Sequence, residues 1–209
     1  MPKVKVKRKS TFIDMTAMSD VTVLLLTFFM LTSTFVQKEP VQVVTPKSVS
    51  EIKIPETNIL QILVEPNGKM FMSLDNQSDR MNVLQNVGEQ YGVEFTEEEL
   101  ISFKLLPAFG VPVKDMKSFL DLKSGDQDAA LKGKVNGITA GIPCDSINNE
   151  MKVWVKQARE VNPNLRIAIK AAAATPYPVI KQLMSSLQDI RENRYNLITS
   201  LKNIKEDEK

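Results

Sequence analysis

The stretch FIDMTAMSDVTVLLLTFFMLTSTFV, residues 12–36, decides how the rest of the chain is organised. As an α-helix it is roughly 37 Å long, which is enough to cross a hydrocarbon core of ~30 Å with some tilt. One carboxylate, Asp20, lies roughly 12 Å in from Phe12, deeper than an interfacial residue. A charged Asp in mid-membrane costs about 2.5–3.5 kcal/mol, so such residues are usually functional. The stretch therefore predicts a transmembrane helix with a proton-carrying carboxylate.

A polar face accompanies this carboxylate. Thr16, Thr27 and Thr34 are spaced from Asp20 by four or seven residues or by two sevens, which places all four on one side of a helix. A helix surrounded by lipid gains nothing from such a face, whereas a helix in a bundle can use hydroxyls for close packing and cross-helix hydrogen bonds. Threonines also bond to carbonyls of their own preceding turn, which explains the threonines alone equally well. With Asp20 in register, the packed face is favoured.

Residues 1–11 form a basic flank, in which lysines and one arginine cluster between Lys3 and Lys9. Short basic flanks remain in the cytoplasm, which predicts that everything after residue 36 lies across the membrane. A cleaved signal peptide has a similar layout. The long apolar run, its interruption by Asp20 and the lack of an A-x-A-like site favour a retained anchor instead.

Composition restricts the remaining functions. The chain has 209 residues and 43% hydrophobic content, enough for one span and a modest soluble domain, and its net charge of +2 predicts no nucleic-acid partner. Without histidine there is no Ser-His or Cys-His arrangement and no ordinary zinc site, so we predict no catalytic residue, metal or cofactor.

Cys144 is the single cysteine. We expect it to be a small buried residue, with an inter-subunit disulfide as the alternative.

Residues 37–58 contain three prolines and scattered charges, which predicts an extended periplasmic tether. Its strand-like part, with Val41, Val43 and Pro46, could pair with a sheet edge in this chain or in a partner. Composition alone favours a simple spacer.

Residues 59–204 are predicted to form a small α+β domain, followed by a charged tail at 205–209. It opens with a hairpin of 59–65 and 69–74 around Pro-Asn-Gly, a good turn sequence. Residues 75–147 form a helical section, in which Thr96 is a plausible N-cap before three glutamates. A helix ended by Asn-Pro-Asn, an alternating strand at 165–170, a second helix and a closing strand at 195–201 complete the domain. The predicted fold is thus one N-terminal transmembrane helix plus a small α+β periplasmic domain with a helical insertion.

The segments IDMTAMSDV at 13–21 and LLLTFFMLT at 24–32 resemble the ExbD/TolR family, to which biopolymer transport protein ExbD belongs. The likeness is specific in the span, where an Asp, a Thr four residues earlier and the following apolar run all match. In the domain it is a likeness of element order. Residues 75–147 look like an insertion relative to short members, and we hypothesise that it enlarges the domain for dimer contact or partner choice.

The resemblance implies a single-pass inner-membrane protein with a cytoplasmic N-terminus and a periplasmic domain. In ExbD-like proteins two spans pair as a homodimer inside a pentameric ring of the multi-span partner ExbB, surrounded by lipid. Asp20 matches the protonatable Asp, where proton passage is thought to rotate the pair, and Thr16 matches the Thr beside it. Residues 41–46 are similar to the short strand that helps to lock the resting stator and recruits TonB.

The chain also departs from the family pattern. Ala17 replaces a common Pro and Ser19 an aliphatic residue, while 171–174 are alanines where an Asp often follows the strand. These changes leave the Asp20 site intact and leave the partner contacts of the domain open. The sequence favours a proton-driven stator that works on a TonB-like partner for energised outer-membrane transport. The alternative is a passive single-span anchor whose domain binds peptidoglycan or another envelope protein.

Overall fold

The computed structural model describes residues 15–33, 43–48, 57–145 and 148–201. The chain divides into two compact units, Met1–Gln37 and Lys38–Lys209. The basic flank, the charged tail, Thr34 and Val41 lie outside the described residues. The first unit contains helix α1 (Thr16–Thr32). The elements of the second unit are, in chain order, β1 (Lys47–Ser48), β2 (Ile59–Val64), β3 (Met70–Leu74), α2 (Gln77–Tyr91), α3 (Glu97–Leu105), a 3-10 turn (Val113–Asp115), α4 (Met116–Leu120), α5 (Ser124–Leu131), α6 (Glu150–Val161), β4 (Arg166–Ala171), α7 (Tyr177–Asp189), β5 (Tyr195–Leu197) and β6 (Ser200–Leu201).

Helix α1 covers 17 residues of the predicted 12–36 span, and its side chains are exposed in the single chain. Within the described ranges, no helix has the length and apolar content needed to cross a membrane. The two ends of the predicted span, 12–14 and 34–36, fall outside those ranges.

The second unit is an α+β domain around a mixed four-stranded sheet with the order β3-β2-β4-β5. The predicted hairpin is confirmed, because β2 and β3 pair antiparallel from Leu60↔Leu74 to Val64↔Met70. Its turn closes where the Gly68 N–H donates to the Glu65 carbonyl at 3.0 Å. Gly68 has φ +84°, a conformation that glycine adopts without steric cost. Strands β4 and β5 then join in parallel.

The alternation predicted for the strand at 165–170 is wrong in detail. The strand runs from Arg166 to Ala171, and Ile167, Ala168 and Ile169 are all buried. Because successive side chains of a strand point to opposite faces, this run means that both faces of β4 are covered. β4 also lies between β2 and β5, so both of its backbone edges are paired.

The closing strand predicted at 195–201 is present as two short strands, because the chain changes partner within this range. Strand β5 pairs with β4, and this pairing ends where the Ile198 N–H donates to the Ile169 carbonyl at 2.8 Å. Two residues later, β6 pairs in parallel with β1, through Lys47↔Ser200 and Ser48↔Leu201. The second partner strand, β1, belongs to the end of the predicted tether. The spacing of apolar residues does not show that a chain changes its partner strand.

The helical section at 75–147 is built into the sheet. Phe109 and Met72 exchange both backbone hydrogen bonds, at 2.7 and 2.8 Å, and the Ile142 N–H donates to the Met70 carbonyl at 2.8 Å. These contacts cover the outer edge of β3, which would otherwise present unpaired backbone groups. Gly110 is required here, because a Cβ at this position would lie 2.2 Å from the Phe71 ring. The section is thus part of the core, which the insertion hypothesis did not anticipate.

Aromatic side chains join this section to α6. The ring centroids of Phe103 and Phe109 are 4.7 Å apart, and those of Phe109 and Trp154 are also 4.7 Å apart. Phe103 and Trp154 stack at 6.1 Å. All three side chains are fully buried. We call these three residues the aromatic cluster.

Helix α3 begins as the sequence predicts. The Thr96 hydroxyl accepts from the Glu99 N–H at 3.3 Å, and the Glu99 carboxylate accepts from the Thr96 N–H at 2.6 Å. This capping box satisfies two N–H groups that the first turn leaves without helical partners. The three glutamates are therefore a favourable helix start.

The other end of α3 is held by a buried cation on α2. The Arg80 guanidinium donates to the carbonyls of Leu74 at 2.6 Å and Lys104 at 3.0 Å, and also to that of Leu106. Burial lowers the pKa of Arg80, and the negative charge of Asp75 opposes this shift. Arg80 thus satisfies buried carbonyls at the ends of both β3 and α3.

We expect Arg80→Met to lower the free energy of unfolding by about 1–3 kcal/mol, because the buried carbonyls lose their donors. Urea unfolding of the purified chain, followed by circular dichroism, measures this loss. Lys117→Met is the matched control, since Lys117 is an exposed cation on α4. A loss no larger than that of the control would contradict the role of Arg80.

Candidate functional site

Asp20 lies in the second turn of α1 and is the single charged side chain of this helix. Its neighbours in α1 are apolar, small or hydroxyl-bearing, and large apolar side chains such as Leu24 and Phe28 are more than half exposed in the single chain. A contiguous apolar surface of this kind needs cover from lipid or another protein. The helix therefore presents one ionisable group within a surface that excludes water once it is covered.

The hydroxyls of α1 bond to their own helix where the structure describes their bonds. Thr27 donates to the Leu24 carbonyl at 2.9 Å, and Thr22 donates to the Ser19 carbonyl at 2.8 Å. The hydroxyl proton of Thr27 is therefore used in a bond to its own helix, as the alternative to a packed polar face predicts. Each hydroxyl retains acceptor capacity for another group. Thr16 is the first residue of α1, and the packed polar face that includes Thr16, Thr27 and Asp20 stays a prediction.

The second candidate segment is the end of the tether, and residues 43–48 lie against the domain. Val43 is 9% exposed, whereas Val44 is 79% exposed. The Val44 carbonyl accepts from the Ala173 N–H at 2.9 Å, just after β4. Pro46 is partly buried and directly precedes β1. The composition-based preference for a simple spacer does not hold for this part of the tether.

Sequence reasoning missed the main-chain partners of this segment. Neither Ala173 nor the residues of β6 carry a signal for pairing with the tether, because two-residue strands have no measurable period. The pairing of β1 with β6 covers two residues of each strand, and a pairing this short opens at a lower free-energy cost than a core strand. Strand pairing with a partner through Val41, Val43 and Pro46 stays a prediction.

Cys144 is buried, as expected, beside α7. Its sulfur lies 3.5 Å from the Ser186 hydroxyl, which also accepts from the Asn149 amide at 2.8 Å. Burial raises the pKa of the Cys144 thiol, and the Ser186 contact only partly opposes this shift. Because the thiolate is the reactive form, this thiol is inert in the folded chain.

We expect Cys144 to react with a thiol reagent at pH 8 only after the domain unfolds. Because burial raises the pKa of Cys144 on folding, the thiol leaves stability unchanged below its unfolded pKa and lowers stability as pH rises through the folded value. Labelling rates with and without urea, followed by mass spectrometry, measure the protection. Equal rates in both conditions would show that the thiol is accessible.

The chain matches the family described as biopolymer transport protein ExbD/TolR over residues 6–202. This chain belongs to the ExbD/TolR family. The match runs through α1, the tether and the whole described domain, including 75–147. No curated protein and no solved structure gives a significant match.

Membership places this ExbD/TolR chain in energy transduction for biopolymer transport at the level of the family. Members are single-span proteins anchored in the inner membrane, and they typically work with ExbB and TonB-like proteins. They are not known enzymes.

Proposed function

We propose that this chain is the ExbD-like subunit of a stator driven by the proton-motive force. Residues 12–36 span the inner membrane, with the basic flank in the cytoplasm and the domain in the periplasm. The observation that carries the proposal is Asp20, the one charged group of α1 in a chain of this family. The positive-inside rule supports the orientation.

Asp20 couples proton movement to motion of the helix. The protonated carboxyl is neutral and tolerates apolar walls, whereas the carboxylate needs water or donors such as the hydroxyl of Thr16 or of a partner. Gain or loss of the proton therefore changes which surroundings stabilise the Asp20 side chain, and the helix moves accordingly. A potential of 100 mV supplies about 2.3 kcal/mol per charge, so a few protons per step provide useful work.

The proposed assembly is the one that membership of the family implies, and the exposed apolar surface of α1 supports it because such a surface needs cover. Two copies of the span pair as a homodimer within an ExbB-like multi-span ring of five subunits, and lipid surrounds the ring. Thr16, Thr27 and Thr34 face the packed interior together with Asp20. The tether, with Val41, Val43 and Pro46, and the domain transmit the work to a TonB-like partner. The weak pairing of β1 with β6 supports this role, because it can open when the tether is engaged.

Co-purification and proton uptake test the proposal together. We expect the full chain to bring a multi-span partner with it at a fixed ratio. In vesicles with an imposed potential and pH gradient, the complex should take up protons when Asp20 is present. An intact complex that moves no protons would favour the passive anchor, in which Asp20 only holds helices together by hydrogen bonds.

A further inference from the structure

A groove of about 580 Å³ opens on the domain where α6 ends and β4 and β5 begin. We call it the arginine groove, and its polar lining consists of Arg159, Asn164, Arg166, Arg194, Tyr195 and Asn196. The proton-carrying role proposed for Asp20 involves none of these residues. The groove is therefore independent of that proposal.

Arg159 forms a fixed wall of the groove. Its guanidinium makes two hydrogen bonds to the Glu192 carboxylate, at 2.8 and 2.6 Å. It also donates to the carbonyls of Pro163 and Leu165. The carboxylate neutralises the charge of Arg159, and these bonds hold the loop after α6 against the α7–β5 connection.

The other two arginines have no such partner. Within the described ranges, neither Arg166 nor Arg194 makes a side-chain hydrogen bond or an ion pair, and both are exposed. Arg166 is the first residue of β4, and Arg194 directly precedes β5. The parallel register Ile167↔Tyr195 places them side by side at the starts of neighbouring strands. Like charges in adjacent cross-strand positions destabilise a sheet.

We propose that the arginine groove binds a ligand through a carboxylate or phosphate group. The oxygens of such a group can accept from both guanidinium groups at once and remove their repulsion, since planar guanidinium forks match the geometry of both anions. Asn164 and Asn196 supply amides for further polar groups of the ligand. The ligand class is thus a polar organic anion.

Two probes separate the two anion chemistries. Inorganic phosphate and citrate are titrated into the detergent-solubilised full chain by calorimetry, at constant ionic strength set with sodium chloride. We expect saturable binding of at least one probe. Binding of phosphate alone assigns a phosphate group, and binding of citrate alone assigns a carboxylate.

Substitutions locate the binding. We expect Arg166→Gln and Arg194→Gln each to weaken it about tenfold or more, as the loss of charge-assisted hydrogen bonds predicts. Arg194→Lys keeps the charge without the planar fork and should bind with intermediate affinity. Arg191→Gln is the matched control, because Arg191 lies on the same loop and does not line the groove. Unchanged thermal midpoints show that the variants fold.

Three results would overturn the proposal. The first is that neither probe saturates, and the second is that the two Gln variants bind as the wild type does. The third is that Arg191→Gln weakens binding as much as they do, because the anion would then respond only to the overall positive charge of the loop.

Discussion

We expect replacement of Asp20 by Asn to abolish energised uptake in cells that lack the wild-type chain, while the variant still inserts and assembles. Asn keeps the size and hydrogen-bonding capacity of the side chain but cannot exchange a proton. The polar group thus remains available for helix contacts, and only the charge change is lost. Substrate uptake, together with co-purification of the multi-span partner, measures both parts of this expectation.

A matched control for this experiment is present on the same helix. Thr22 lies about 200° around α1 from Asp20, and its hydroxyl already donates to the Ser19 carbonyl at 2.8 Å. We therefore expect Thr22→Val to retain uptake. Normal uptake by Asp20→Asn would contradict the stator and favour the passive anchor.

Replacing Trp154 by Ala should lower the free energy of unfolding by about 3–5 kcal/mol, the range for removal of a large buried aromatic residue. Trp154 is 0% exposed and contacts both Phe103 and Phe109. Alanine would leave a cavity where the Trp154 ring contacts Phe103 and Phe109, so α6 would lose its packing against the section that covers β3. Because the indole N–H has no partner within the described residues, its removal leaves no acceptor unsatisfied, and the loss is one of packing.

Urea unfolding followed by circular dichroism measures this change, since the substitution removes the chain's one tryptophan fluorophore. Tyr177→Ala is the control, because Tyr177 is an aromatic residue that is 70% exposed. Its expected change is within about 0.5 kcal/mol. Similar losses in the two variants would mean that the aromatic cluster does not stabilise the domain.

The same geometry makes the section at 75–147 hard to remove. Its deletion would expose the aromatic face of α6 and free the edge of β3 that Phe109 and Ile142 cover. We therefore expect the deletion variant to aggregate rather than to form a smaller member of the family. Folded and monodisperse material after deletion would instead support a separable insertion.

Local signals explain what could be predicted of the domain. The hairpin follows from Pro-Asn-Gly between two apolar runs, the start of α3 from Thr96 and Glu99, and the end of α6 from Asn-Pro-Asn. Each signal acts over a few residues of the chain. The order of helices and strands could be predicted for the same reason, because each element has a local sequence signal.

The errors concern pairing between distant segments. The strand predicted at 195–201 divides because its second part meets β1, and the run at 167–169 is buried because both faces of β4 are covered. The local sequence does not predict the role of Arg80, since its carbonyl partners lie on other elements. No local period reports which strand a residue will meet.

The sequence by itself determined one carboxylate in an apolar helix, a basic flank before it and the lack of histidine chemistry. These are properties of composition and helical period, which act along the chain. Only the tertiary structure decided that the tether end lies on the domain and that Arg166 and Arg194 are neighbours. The physical reason is that parallel strands joined by a helix begin side by side, so their first residues meet although the chain separates them.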